Sequence, residues 1–255
     1  MPNLVDIIFL DIDGVLLPFG GTTAAKQSSC TKGCIFPDCT MDALTTLLQR
    51  VNKLSLGDNK QKHCTKIRMD DAPTSSCCKL VLSSTWRARS NFIQDILDSF
   101  RAYANKKARL DPTVMQIWEP HLNSFFDITD PNLHSTRHDE IYNWLHQHQH
   151  PQNQSNNNGH DATRDFIVRS WIALDDEDLV NVEGRVSHDA KEHAVFIQSS
   201  VGLTLDDVST AIQLLQRQHQ KFYSKFHRWL CYNRIPFYPT LHLLFCVELE
   251  TIHNF

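Results

Sequence analysis

The sequence lacks a membrane-length apolar run, a surplus of basic charge and any Cys-x-x-Cys pair. Its longest apolar tract beyond the first strand is "IPFYPTLHLLFCVELETI", residues 235–252. Two prolines, a histidine and two glutamates make it a poor membrane span. Lysine and arginine number 25 against 29 aspartates and glutamates, for a net charge of −4 and a pI near 6.4. That argues against binding nucleic acid through a broadly basic surface and leaves room for a local basic groove. Cys30, Cys34, Cys39, Cys64, Cys77 and Cys78 are not spaced as zinc knuckles, so no structural zinc is expected. With an apolar strand within the first ten residues, no leader peptide is expected. The expectation is a cytoplasmic, or at least intracellular, chain with reduced thiols.

What is present is an ordinary globular composition, 41% hydrophobic and 21% charged over 255 residues, long enough for one α/β domain with insertions. Val5–Leu10 reads as a buried strand. Met41–Leu54 has helical apolar spacing. "KLVLSS", Lys79–Ser84, reads as a second strand, followed by a helix over Asn91–Phe100. "SFFDIT", Ser124–Thr129, suggests a short third strand, and Thr136–His148 an amphipathic helix. "FIVRSWIALDD" is a fourth strand and "EHAVFIQSS" a fifth. Thr204 then caps a helix reaching Gln218. Residues 18–40, 55–78 and 146–162 read as loops or insertions, the last containing "HQHQH" and an Asn/Gln tract. Strands alternating with helices predict an α/β three-layer sandwich around a Rossmann-like parallel sheet, whose ligands bind beyond the carboxyl ends of the strands.

The strand exits are therefore the place to look for chemistry. The first releases Asp11 and Asp13, the second Ser83 and Ser84, the fourth Asp175 and Asp176, and Arg137 opens the helix before the fourth strand. Carboxylates gathered at one rim repel one another and need a cation, and oxygen donors of this kind suit Mg²⁺. Hydroxyls and a guanidinium beside that cation suit a phosphoryl group. In such a site Asp11 is the candidate nucleophile, forming an aspartyl-phosphate. Asp13 is the candidate acid and base. Gly14 permits the tight turn that follows.

These segments resemble the haloacid dehalogenase-like (HAD) phosphatase superfamily. "DIDGVL" is similar to its motif I, "LVLSS" to motif II and "WIALDD" to motif IV, while "STRHDEIYNWL" supplies Arg137 where motif III usually has a lysine. "FLDIDGVL", "VLSSTWR", "RHDEIYNWL", "WIALDD" and "GLTLDDVSTAIQLL", in this order, resemble the HAD domain of Swiss Army Knife RNA repair proteins. The resemblance implies a Mg²⁺-dependent phosphohydrolase with a minimal cap or none. Asp11 and Asp13 would be catalytic, and Ser83, Ser84 and Arg137 would bind phosphate. Asp11, Asp13 (through its carbonyl), Asp175 and Asp176 would hold the metal. The implied HAD-like domain covers residues 1–218, and residues 219–255 form an appendage. The substrate would be a phosphorylated small molecule or a nucleic-acid end. No membrane and no particular protein partner is implied.

Each motif also has a plainer explanation. Ser83 and Ser84 could cap a helix near Trp86, and Asp175 and Asp176 could cap the segment after them. Arg137 could pair with Glu140 or Asp139, leaving Lys191 as the motif III cation. Arg87 could bind substrate or tie the sheet to a loop, and Trp86 could be packing. An idle HAD-like scaffold is the reading from a different class. Intact Asp11 and Asp13 argue against it.

Overall fold

Six consecutive buried residues, Val5–Leu10, make β1 (Asn3–Leu10) the middle strand of the sheet. The computed structural model describes residues 3–20, 33–57, 78–130, 135–149, 166–182, 185–187 and 190–232. β1 leads through α1 (Asp38–Gly57) to β2 (Cys78–Leu82), and then to α2 (Ser90–Ala108), α3 (Thr113–Trp118) and β3 (Asp127–Ile128). Next come α4 (Arg137–Gln149), β4 (Phe166–Asp175), a small antiparallel hairpin of β5 (Asn181–Val182) and β6 (Arg185–Val186), β7 (Ala194–Phe196) and α5 (Leu205–Tyr232). The main sheet runs β3-β2-β1-β4-β7, and every pair in it is parallel.

Side-chain alternation along the strands separates two cores. Ile8, Leu10, Leu80, Leu82, Ile172 and Leu174 pack with α1, α2 and α5 on one face. Val5, Ile7, Phe9, Val81, Trp171 and Ala173 pack with α4 on the other, where Phe9 meets Trp144 edge-on at 5.3 Å. This is the expected three-layer α/β sandwich.

Several boundaries differ from the sequence expectation. α2 runs eight residues past Phe100 because Tyr103 and Ala104 extend the buried stripe of Ile96, Leu97 and Phe100. α3 was not foreseen. It seats the buried Trp118 against Phe100 at 4.8 Å. β3 is two residues long, since only Asp127 and Ile128 pair with β2. α5 does not stop at Gln218 but continues to Tyr232, with both Gln218 and His219 buried. Most of the insertions read at 18–40, 55–78 and 146–162 lie outside the described residues, as do Cys30, Cys64, Cys77 and residues 233–255. Among the described residues, no helix is long and apolar enough to cross a membrane.

Candidate active site

Ladder hydrogen bonds carry the strand register one residue past the strand ends. The Asp11 N–H donates to Leu174 O (3.1 Å), the Ser83 N–H to Leu10 O (3.0 Å) and the Ile197 N–H to Asp175 O (2.8 Å). Asp11, Ser83 and Asp175 therefore stand level at the carboxyl edge. The chain then turns sharply, with Leu16 N–H and Leu17 N–H both donating to Ile12 O and Gly14 N–H to Leu17 O. Gly14 has φ 71°, and a Cβ there would lie 2.2 Å from Asp176 Oδ2. Only glycine lets this turn come so close to the second acid of β4. Gly202 (φ 78°) is packed as tightly from the other side, where a Cβ would lie 2.9 Å from Val15 O. Thr204 and Asp207, exchanging side-chain bonds with each other's N–H, then start α5.

Asp11, Asp175 and Asp176 come together, each offering an oxygen within 4.8 Å of the others. Burial pushes the Asp175 carboxyl well above the usual range, and the Asp11 charge pushes it further, against the pull of Arg137. Burial likewise raises Asp11, opposed by Arg137 and by hydrogen bonds from Ser84 and the Ile12 N–H, the latter 2.7 Å from Oδ1. Asp176 is raised by burial first, with the charges of Glu177 and Asp13 adding to it. Asp175 Oδ1 accepts the Glu177 N–H at 2.9 Å, while its buried Oδ2 has no hydrogen-bond partner. A crowded set of oxygen donors with an unused buried lone pair fits a hard divalent cation.

Arg137 faces this cluster. Thr136 and Asp139 form a reciprocal cap, which starts α4 at Arg137 and takes up Asp139 as an alternative partner. The guanidinium lies 3.9 Å from Asp11 Oδ2 (Nη2), 3.4 Å from Asp175 Oδ2 (Nε) and 3.6 Å from Glu140 Oε2 (Nη1). Neither Nε nor Nη1 makes a hydrogen bond. Glu140 is held by Arg87 Nη2 at 2.6 Å, and Arg87 Nη1 donates to Ser84 O at 2.6 Å. Arg87 thus ties the β2 exit to α4. Lys191 is exposed on the turn Ala190–Glu192.

The β2 exit supplies two hydroxyls. Ser84 is fully buried; its Oγ bonds Asp11 and accepts the Trp86 N–H at 3.4 Å, so it caps the 3₁₀ turn Thr85–Ala88 as well as facing the site. Ser83 Oγ is buried without a partner. The Asp13 carboxylate is not part of the three-acid cluster. Its Oδ2 accepts the Trp86 indole N–H at 2.9 Å. The Arg137–Glu140 pairing weighed from the sequence is present, at 3.6 Å and one helical turn apart on the same face. What sequence reading missed is that Arg87 also pairs with Glu140.

No curated protein and no solved structure matches the chain. Residues 7–208 match the family model described as the HAD domain in Swiss Army Knife RNA repair proteins. The span takes in every site residue named above, and the chain belongs to that family.

Proposed function

We propose that the chain is a Mg²⁺-dependent phosphomonoesterase working through an aspartyl-phosphate. One observation carries the reading: at the carboxyl edge of the sheet, buried atoms of both polarities are left without hydrogen bonds. Asp175 Oδ2 is an unused acceptor, and Arg137 Nε, Arg137 Nη1 and Ser83 Oγ are unused donors. Buried polar groups normally find partners, so a cluster of unpaired ones marks where a ligand completes the set. Arg137 Nε and Asp175 Oδ2 stand 3.4 Å apart as an ion pair without a hydrogen bond, a pairing that a phosphoryl group on the cationic side and a cation on the acidic side would complete.

Asp11, Asp175 and Asp176 would hold Mg²⁺, with the Asp13 carbonyl as a further donor, and the ion would neutralise phosphoryl charge. A carboxylate oxygen of Asp11 attacks phosphorus as the ester P–O bond breaks, and Asp13 gives its proton to the leaving oxygen. Ser83, Ser84 and Arg137 bind the phosphoryl oxygens. The planar fork of Arg137 presents several donors at once to the phosphoryl oxygens. Asp13 then takes a proton from water as that water attacks phosphorus and frees Asp11.

Membership of the HAD family supports hydrolase chemistry, and the family's RNA-repair description favours nucleotides or nucleic-acid ends over small metabolites. We further take residues 1–218, in the cytoplasm, as the catalytic domain, and residues 219–255 as an extension that begins within α5. The test is phosphate release from p-nitrophenyl phosphate, with and without Mg²⁺. The wild type should release phosphate only with Mg²⁺, and Asp11→Asn should lose at least about 1,000-fold. Near-wild-type turnover by Asp11→Asn contradicts the assignment.

A further inference from the structure

We propose that Trp86 is a positioning residue for the general acid. Its indole holds one oxygen of the Asp13 carboxylate so that the other, Oδ1, faces the ester oxygen that leaves. This inference rests on the phosphomonoesterase reading above.

Trp86 Nε1 donates to Asp13 Oδ2 at 2.9 Å, across 73 positions of sequence. The indole is fixed from both sides. Its ring packs on Phe92 at 5.3 Å and against the larger hydrophobic core, and its backbone N–H and C=O bond Ser84 Oγ and the Arg89 N–H. Asp13 needs such a hold. It sits half-buried in the turn before Gly14, against which the Asp176 side chain packs closely. The indole bond fixes which of the two carboxylate oxygens is turned toward the β2 exit and which is left for the substrate.

An indole suits this task better than a cation. Its N–H donates and never accepts, so Oδ2 stays an acceptor and Oδ1 carries the proton to be transferred. Being neutral, it adds no charge that would compete with Arg137 for the phosphoryl group. The same short segment, Ser83–Arg87, supplies the free Ser83 hydroxyl, the Ser84 bond to Asp11, the Trp86 bond to Asp13 and the Arg87 bond to Glu140. One rigid turn thereby sets the spacing between nucleophile, acid and phosphoryl group. In the transfer, the Asp13 O–H bond breaks and its proton joins the ester oxygen as the P–O bond to that oxygen breaks and the bond to Asp11 forms.

Trp86→Phe keeps an aromatic ring and removes the N–H. The discriminating measurement is kcat/KM on two esters, one with a dinitrophenolate leaving group that departs without a proton and one with an alkyl alcohol that needs it. Trp86→Phe should lose about 10- to 100-fold on the alkyl ester and no more than about threefold on the dinitrophenyl ester. Equal losses on both mean a general structural role and overturn the inference, as does no loss on either. A wild type that hydrolyses neither ester overturns the phosphomonoesterase reading and this inference with it. The hydrogen bond is also readable without turnover. In a proton–nitrogen correlation spectrum, the indole resonance missing from Trp86→Phe should be the one that moves in Asp13→Ala. An unmoved resonance overturns the inference.

Discussion

β1 carries a buried aspartate at each end, and the two are treated in opposite ways. Asp6, fully buried near its start, has every acceptor site engaged. Oδ1 accepts from Arg169 Nε (3.0 Å), Ser170 Oγ (2.7 Å) and His219 Nε2 (2.9 Å), and Oδ2 from Arg169 Nη2 (2.6 Å) and Ser55 Oγ (2.8 Å). A bulge makes this possible. The β1–β4 register passes from Val5↔Val168 to Asp6↔Ser170, so Arg169 is the extra residue. Burial pushes Asp6 up, but His219 and Arg169 outweigh it and hold the carboxyl well below its usual range. Asp11, just past the other end, is raised, and its neighbour Asp175 keeps an idle oxygen. The same side chain, at similar depth and five residues apart along one run of chain, is a structural staple where its partners are complete. Beside a neighbour whose partners are incomplete, it stands where the function proposed above places the nucleophile.

The comparison can be broken or sharpened by substitution. The largest stability effect belongs to Asp6→Asn, which leaves the buried Arg169 without its counter-charge and should cost about 3–5 kcal/mol in urea unfolding. A loss under about 1 kcal/mol would make the network ornamental. The sign with pH follows from the lowered carboxyl. Its contribution is complete above the ordinary carboxylate range and is lost as pH falls through the folded-state value. The gap between wild type and Asp6→Asn should thus narrow on acidification below about pH 4. Next comes Gly14→Ala, where strain at φ 71° and collision with Asp176 should cost about 1–3 kcal/mol and lower turnover together. An active, stable Gly14→Ala would show that the motif turn has room to relax. Smallest is Glu140→Gln, which keeps the shape between Arg87 and Arg137 but loosens the guanidinium. A fall in kcat/KM of about tenfold is expected, and an unchanged value would detach Glu140 from the site.

The sequence made one end of β1 legible and not the other. Asp11, Ser83, Ser84, Asp175 and Asp176 each end an apolar run, so their place at the carboxyl edge follows from strand periodicity and parallel topology alone. Arg137 could be located because Ser-Thr-Arg-His-Asp spells a helix start. Asp6 could not be read this way. It interrupts an apolar run with a single charge, and its partners Arg169 and His219 lie 163 and 213 residues away. The bulge that aims Arg169 leaves no mark in composition. For the same reason the sequence pattern places the end of α5 at Gln218. What carries it on is tertiary: Gln218 clasps both the N–H and the C=O of Trp171, and Tyr223 OH accepts from Arg169 Nη1 at 3.0 Å. The bonds from Trp86 to Asp13 and from Arg87 to Glu140 were equally hidden, since each joins separate elements.

The most direct test of the contrast is the unfolding temperature of Asp11→Asn beside wild type in chelator-treated buffer at neutral pH. Removing a charge from the incomplete end relieves repulsion from Asp175 and Asp176, so the variant should unfold at the same temperature as wild type or higher. A drop as large as that of Asp6→Asn would mean that both aspartates are structural staples, and would contradict the account.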